Sequence, residues 1–199
     1  MKHQKTLLVC LCAAIGFAMT SCDNNPTTLP ADADTTRTSA RQEQNPCLTA
    51  IENYLTTNTA SSYAPAEISI PCYTVVATQD GDTADIRVWG DWWVFNYNVA
   101  ADTLKTVSGG NHPGVFHIKK TGTEYTVTAF EQVEDGAGFM PSAKRIFGNY
   151  LDLYQTTASN NTLRDSVRTA AIAHYAKKNR LKTSLYQDFG QPAVALPKE

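Results

Sequence analysis

The sequence predicts an α+β domain: an N-terminal helix packed on a curved antiparallel sheet of about five strands, followed by a C-terminal helical hairpin. Three observations carry this expectation. Between residues 68 and 133, β-forming runs alternate with Gly- and Asp-rich turn signals. Apolar residues recur at helical spacing on both sides of that block, at Leu48, Ile51, Tyr54 and Leu55 before it and at Ile146, Phe147, Tyr150, Leu151 and Tyr154 after it. A helix, a meander and flanking helices in that order stack as α+β layers. At the centre lie residues 86–97, a β-rich run that holds all three tryptophans of the chain and one carboxylate, Asp91, among aromatics.

The 199 residues are 42% hydrophobic and 18% charged, which suits one soluble domain with extensions. The net charge is −2, and no basic stripe supports a nucleic-acid partner.

Residues 1–5 form a short basic segment and residues 6–19 an apolar one, too short for a membrane span of roughly 20 residues. The segment closes on Met19-Thr20-Ser21-Cys22. Here it resembles a bacterial lipoprotein signal, in which the cysteine is diacylated and becomes the first residue of the mature chain. Ser21 and Cys22 fit; Met19 stands where that family usually has Leu. An ordinary secretory signal or an uncleaved anchor are the alternatives. The resemblance implies a signal over residues 1–21, a tether over 22–44 and a single domain over 45–199. It also implies the bacterial cell envelope as location, lipid-anchored at the outer membrane and facing periplasm or surface, with the membrane as partner through Cys22. Losing residues 1–21 strips Lys2 and Lys5 and no acid, leaving 15 basic against 19 acidic residues, a net charge of −4. Residues 23–41 are mostly Asn, Thr, Pro, Ala, Asp and Ser, with little to bury, so they predict a disordered tether. As a random coil it would hold the domain roughly 25–30 Å from its anchor.

Cys10 and Cys12 leave with such a signal and Cys22 takes the lipid, which leaves Cys47 and Cys72. Two thiols in an exported chain predict a disulfide, worth roughly 3–4 kcal/mol in the chain-entropy picture. No Cys-His or Cys-x-x-Cys spacing supports a nucleophile or metal ligand instead.

Within the domain, Asn45-Pro46 predicts a helix start, with Asn as cap and Pro in the first turn. Residues 56–65 predict a loop. Residues 68–79 predict a strand whose Pro71 suggests an edge or a bulge. Asp80-Gly81 signals a tight hairpin, residues 100–102 a turn, and residues 103–108 a short returning strand. Gly109-Gly110-Asn111-His112-Pro113-Gly114 predicts an irregular loop. Residues 115–120 and 124–133 predict a hairpin around Thr121-Gly122. Pro141-Ser142 and Thr162-Leu163-Arg164-Asp165 predict the starts of two helices, the second with Leu163, Val167, Ala170, Ala171 and His174 along its stripe. From Ser184 the tail predicts irregular chain.

Over roughly residues 46–155 this element order resembles the cystatin-like and nuclear-transport-factor-two-like folds, in which a bent antiparallel sheet wraps a helix. The set Val88-Trp89-Gly90-Asp91, Ser108-Gly109-Gly110-Asn111-His112-Pro113-Gly114 and Pro141-Ser142-Ala143-Lys144 resembles a group of uncharacterised Bacteroidetes-type lipoproteins, which supplies no activity to carry over.

Alternation on the central strand puts Trp89, Asp91, Trp93, Phe95 and Tyr97 on one face and Val88, Trp92 and Val94 on the other, unless Gly90 marks a bulge. Asp91 between tryptophans must find hydrogen-bond donors or hold a proton. It is either a general base at the floor of an aromatic pocket or a structural carboxylate tied into the fold. His112 and His117 are the histidines near the sheet, and either could share a proton with Asp91. Their spacing matches no metal motif, so no metal or cofactor is expected. Residues 108–114 could cradle an anion with backbone amides, or merely turn the chain. His174 reads as a boundary histidine and the basic cluster at residues 177–182 as a helix end favoured by its dipole.

The leading functional expectation is a cell-envelope lipoprotein whose domain binds a small molecule, glycan or protein, with Trp89, Trp93 and Tyr97 as binding residues. The alternative is a small isomerase- or hydrolase-like enzyme using Asp91 with His112 or His117 in a cone-shaped pocket. A third possibility is an envelope assembly component with a flat exposed sheet face.

Overall fold

The computed structural model describes residues 45–197. The expected signal, tether and lipidated Cys22 lie outside the described residues. No helix among the described residues is long and apolar enough to cross a membrane.

The chain opens with α1 (Pro46–Tyr54), whose cap Asn45 accepts hydrogen bonds from the amides of Cys47 and Leu48. The helix then loosens through a π-turn (Leu55–Thr59) and a 3₁₀ turn (Ala60–Ser62), so the expected loop begins later than the polar composition suggests. Four long strands follow in antiparallel pairing: β1 (Ile68–Gln79), β2 (Ile86–Ala100), β3 (Thr103–Asn111) and β4 (Gly114–Thr121). β5 (Glu124–Gln132) pairs with β4 around a tight turn in which Gly122 has φ +62°. The C-terminal third comprises α2 (Phe139–Phe147), α3 (Leu151–Ala158), α4 (Asn161–Lys178), β6 (Leu185–Gln187) and β7 (Val194–Ala195).

The fold is α+β with a mixed, open sheet of seven strands, rather than five all antiparallel. The tail expected to be irregular supplies the two additional strands, and β6 runs parallel to β3. β1 bonds only to β2, consistent with the edge position that Pro71 implies, while its register shift falls later, between Val75 and Ala77. The β1–β2 connection spans residues 80–85, longer than the two residues that Asp80-Gly81 suggests, because Asp82 folds the loop on itself by accepting from the Ala84 amide.

The glycine-rich stretch around residue 110 is the largest departure from expectation. β3 and β4 form two halves of one line antiparallel to β2, with Thr103 opposite Ala100 at one end and Ile118 opposite Ile86 at the other. Only His112 and Pro113 interrupt it. The glycines are there because neighbours approach closely: a Cβ on Gly110 would overlap the Tyr63 hydroxyl, and one on Gly114 would overlap the Glu131 carbonyl. Replacing Gly110 by Ala should therefore expel Tyr63 from the sheet and cost about 1–3 kcal/mol, as overpacking does. A Tyr63→Ala, Gly110→Ala double variant no worse than Tyr63→Ala alone in thermal unfolding is the expected signature; additive losses would count against the contact.

The helical hairpin expected at the C-terminus is replaced by three helices laid along the sheet. Gly148, with φ +51°, stops α2 and separates the aromatic stripe into α2 and α3. α2 begins at Phe139, ahead of Pro141-Ser142, and Ser142 is buried, donating to the Gly138 carbonyl while accepting from the Glu134 amide. α4 is capped by Asn160, which accepts from the Leu163 amide, so its start also precedes the expected Thr162. The face it buries carries Ile172 and Ala176, rotated from the predicted stripe.

The two faces of β2 organise the core as the alternation predicts. Val88, Trp92 and Val94 pack with Leu48, Ile51 and Leu55 beneath α1. Trp89 packs with Ile146, Phe147 and Tyr154, and Tyr97 with Ile172 and Tyr186, on the opposite face. Cys47 joins the α1 side, whereas Cys72, paired opposite Trp93 on β1, borders the cleft beneath α4. Both thiols are free in this structure, with the sheet lying between them, so the expected disulfide is not formed. Burial pushes the Cys72 thiol up to about 12, which makes it a poor nucleophile at neutral pH.

Candidate functional site

Asp91 lies where the β3–β4 line breaks. Pro113 has no amide to donate, and the ladder there is carried by the His112 amide donating to the Trp92 carbonyl at 2.7 Å and the Val133 amide donating to the Pro113 carbonyl at 2.8 Å. Asn111, the last residue of β3, donates from Nδ2 to Asp91 Oδ1 at 2.6 Å and to the Trp92 carbonyl at 3.2 Å. Trp93 Nε1 donates to Asp91 Oδ2 at 3.0 Å. Both oxygens of the carboxylate are thus engaged, and the residue is only 6% exposed. The cleft beside it, bordered by Cys72, Thr74, Trp93, Thr157, Arg164 and Val167, has room for about one water molecule.

This arrangement is that of a structural carboxylate. Its partners are the side chains of Trp93 and Asn111. Asp91→Asn should lower the unfolding free energy by about 1–2 kcal/mol in a urea titration, because one donor would face an amide NH₂. An unshifted midpoint would show that Trp93 and Asn111 do not depend on the carboxylate.

The structure does not bring the histidines to Asp91. His112 follows Asn111 and faces the α1 side of the sheet, where Tyr63 Oη lies 2.8 Å from Nε2 and Gln132 Oε1 lies 3.1 Å from Nδ1. The Gln132 oxygen can only accept, so Nδ1 carries the proton and the Tyr63 hydroxyl donates to Nε2. Burial pushes the His112 imidazole below its ordinary value, with the Gln132 hydrogen bond and Asp135 pulling the other way. His117 shares the Asp91 face but pairs with Arg87, four residues from Asp91 and so about 13 Å along the strand. Its two nitrogens lie 2.7 Å from Asp85 and 3.1 Å from Glu131, and Arg145 closes that surface network at 3.1 Å from Glu131. Among the described residues no group of His, Cys, Asp and Glu side chains is placed to hold a metal ion.

The three aromatics expected to bind a ligand have different fates. Trp89 is covered by α2 and donates to the Ile146 carbonyl at 2.8 Å, and Tyr97 is fully buried against α4. Trp93 alone keeps surface, stacked 5.7 Å from Phe95 with the Arg164 guanidinium 5.4 Å above it. Coverage by the C-terminal helices removes the other two from any binding surface.

Sequence reading missed two features. The first is Arg168 on α4, whose NH1 and NH2 grip both Asp188 oxygens at 2.8 and 2.6 Å. Its Nε donates to Tyr97 Oη at 3.1 Å, NH2 also reaches Thr106 at 3.0 Å, and the guanidinium lies 3.8 Å from the Phe95 ring centre. A signal existed, since Arg168 precedes Ile172 and Tyr175 by four and seven residues, on the face α4 buries. The second is Phe189, which follows Asp188 in a turn closed by the Gln191 amide donating to the Asp188 carbonyl at 3.1 Å, with Gly190 at φ +71°. Phe189 is 99% exposed. Nothing local in the sequence distinguishes it from a core phenylalanine.

No family model, curated protein or solved structure matches the chain.

Proposed function

We infer that this chain is a lipid-anchored protein of the bacterial cell envelope whose folded domain is a binding module for a small molecule, glycan or protein. The observation that carries the binding reading is Phe189. A phenylalanine left in water forgoes roughly 1.5–3 kcal/mol of burial. This one is held there by a turn whose first residue, Asp188, is clamped by Arg168 and Thr106. A rigidly displayed aromatic loses little entropy when a partner covers it. Asp91, with both oxygens committed inside the fold and neither His112 nor His117 beside it, lends no support to a small enzyme. The Ser21-Cys22 junction supports the anchor, and the order of α1 followed by five antiparallel strands supports placing this half of the domain with the cystatin-like folds.

Two measurements test the reading. Cells fed radioactive palmitate should label the protein, and Cys22→Ala should abolish the label; an unlabelled, soluble wild type would refute the anchor. A benzophenone amino acid in place of Phe189 should give a discrete photo-adduct in cells, while the same group at exposed Lys119 should not. Absence of an adduct at position 189 would sink the binding role.

A further inference from the structure

We propose that the sheet contains a vacant strand position beside β3 that takes a single extended peptide of a partner protein, paired through its main chain and anchored against Phe189. This rests on the binding-module reading and names its site and partner.

The position is defined by hydrogen bonds. On its inner side the β3–β4 line pairs with β2 throughout. On its outer side, β5 covers β4 as far as Gly114 opposite Gln132, and the Val133 amide extends that cover to the Pro113 carbonyl. At the other end β6 covers β3 only from Thr103 to Lys105, and Asp188 reaches as far as the Thr106 hydroxyl. Among the described residues, the backbone of residues 107–111 bonds to no strand but β2 and takes part in no turn or loop hydrogen bond. About five residues of outer edge, about 17 Å at the usual rise, are therefore unpaired in the middle of an otherwise extended sheet. The register shift between Asn96 and Tyr97 falls opposite this segment, and bulges commonly end pairing in this way.

Unpaired edge amides and carbonyls specify their own ligand, another extended backbone. Geometry selects which kind. β5 and β6 stand one strand spacing, about 4.8 Å, beyond the β3–β4 line at either end of the gap, and β7 stands a second spacing out. The gap is thus a recess one strand deep. The edge of a folded sheet, including that of a second copy of this chain, is held off by the flanking strands, whereas a single extended segment enters it lengthwise. Gly109 and Gly110 present no side chains to obstruct it. Exposed Val107 borders it, and Phe189 projects from the turn immediately beyond Asp188, at the β6 end. A peptide with an apolar residue near that end would cover the phenylalanine that the fold leaves in water.

The test uses the full chain, a displayed library of random decapeptides and amide hydrogen exchange. Panning should enrich peptides with an apolar anchor. A synthetic copy of an enriched peptide should slow exchange of the outward-facing amides among residues 107–111, which exchange fast in the free protein because β2 bonds only the inward-facing ones. N-methylation of alternate amides in that peptide should abolish binding, and Phe189→Ala, at a site too exposed to matter for folding, should weaken it about tenfold or more. Slow exchange of the outward-facing amides among residues 107–111 in the free chain at every concentration would overturn the proposal, because the position would already be filled from within. Protection that rises with protein concentration would overturn it in favour of self-association. Enriched peptides that protect the β1 or β5 edge instead would overturn the site and leave the binding-module reading standing. If no peptide is enriched the proposal fails, and the photo-adduct at position 189 decides the broader reading separately.

Discussion

Replacing Arg168 by Ala should lower the unfolding free energy by about 3 kcal/mol, more than any other change at a charged residue of this domain. The figure lies at the lower end of the 3–5 kcal/mol seen when one member of a buried pair is removed. The reason for the discount is that Arg168 is 11% exposed in its side chain but Asp188 is 39% exposed, so solvent softens the loss. What the variant leaves behind is an Asp188 carboxylate with only Thr106 as donor and a buried Tyr97 hydroxyl without its partner. Urea titrations of wild type and variant measure it, and a loss below about 1 kcal/mol would mean the pair behaves as a surface salt bridge. The same pair sets a pH signature. The Arg168 hydrogen bonds hold the Asp188 carboxyl below its ordinary value, and below that of the unfolded chain, about 3.9. Its contribution is therefore complete above about pH 4 and is lost as pH falls through the lower folded value. Wild type and Asp188→Asn should differ in melting temperature at pH 7 and converge in acid.

Trp92→Ala should cost about 4 kcal/mol, within the range for removing a buried tryptophan. Trp92 is fully buried, its ring centroid lies 5.2 Å from that of Tyr73 and 5.1 Å from that of Phe116, and Nε1 donates to the Gly114 carbonyl at 3.2 Å. A Cβ on Gly90 would overlap this ring, so the glycine after Trp89 makes room for Trp92. Trp93→Ala, half-buried and stacked on Phe95, should cost far less in the same chemical denaturation. Equal losses would contradict the division of β2 into a sealed face and a partly open one.

Much of the fold was legible because it depends on local pattern. The alternation of residues 86–97 correctly assigned Trp92 to one face and Trp89, Asp91 and Tyr97 to the other, since side-chain period along a strand is a backbone property. Asn45-Pro46 located α1 because capping involves neighbours in sequence. The glycine stretch misled for the opposite reason. A glycine needed for a turn and one needed to admit Tyr63 or the Glu131 carbonyl look identical in sequence, and only the partner, dozens of residues away for Tyr63, tells them apart. The tail failed similarly: residues 185–187 are too few to signal a strand, and they form one because the β3 edge is there to pair with.

The sequence by itself determined that the fold is α+β and built on a two-faced tryptophan strand, because hydrophobic period, turn residues and caps act over a few residues. It also singled out Asp91 as a buried carboxylate that needs partners. Only the tertiary structure decided what those partners are, separated Asp91 from His112 and His117, put Cys47 and Cys72 on opposite sides of the sheet, and set Phe189 in water on a turn locked by Arg168. Each of these depends on which distant segments the sheet brings together, and burial and hydrogen bonding are properties of that meeting rather than of either segment alone.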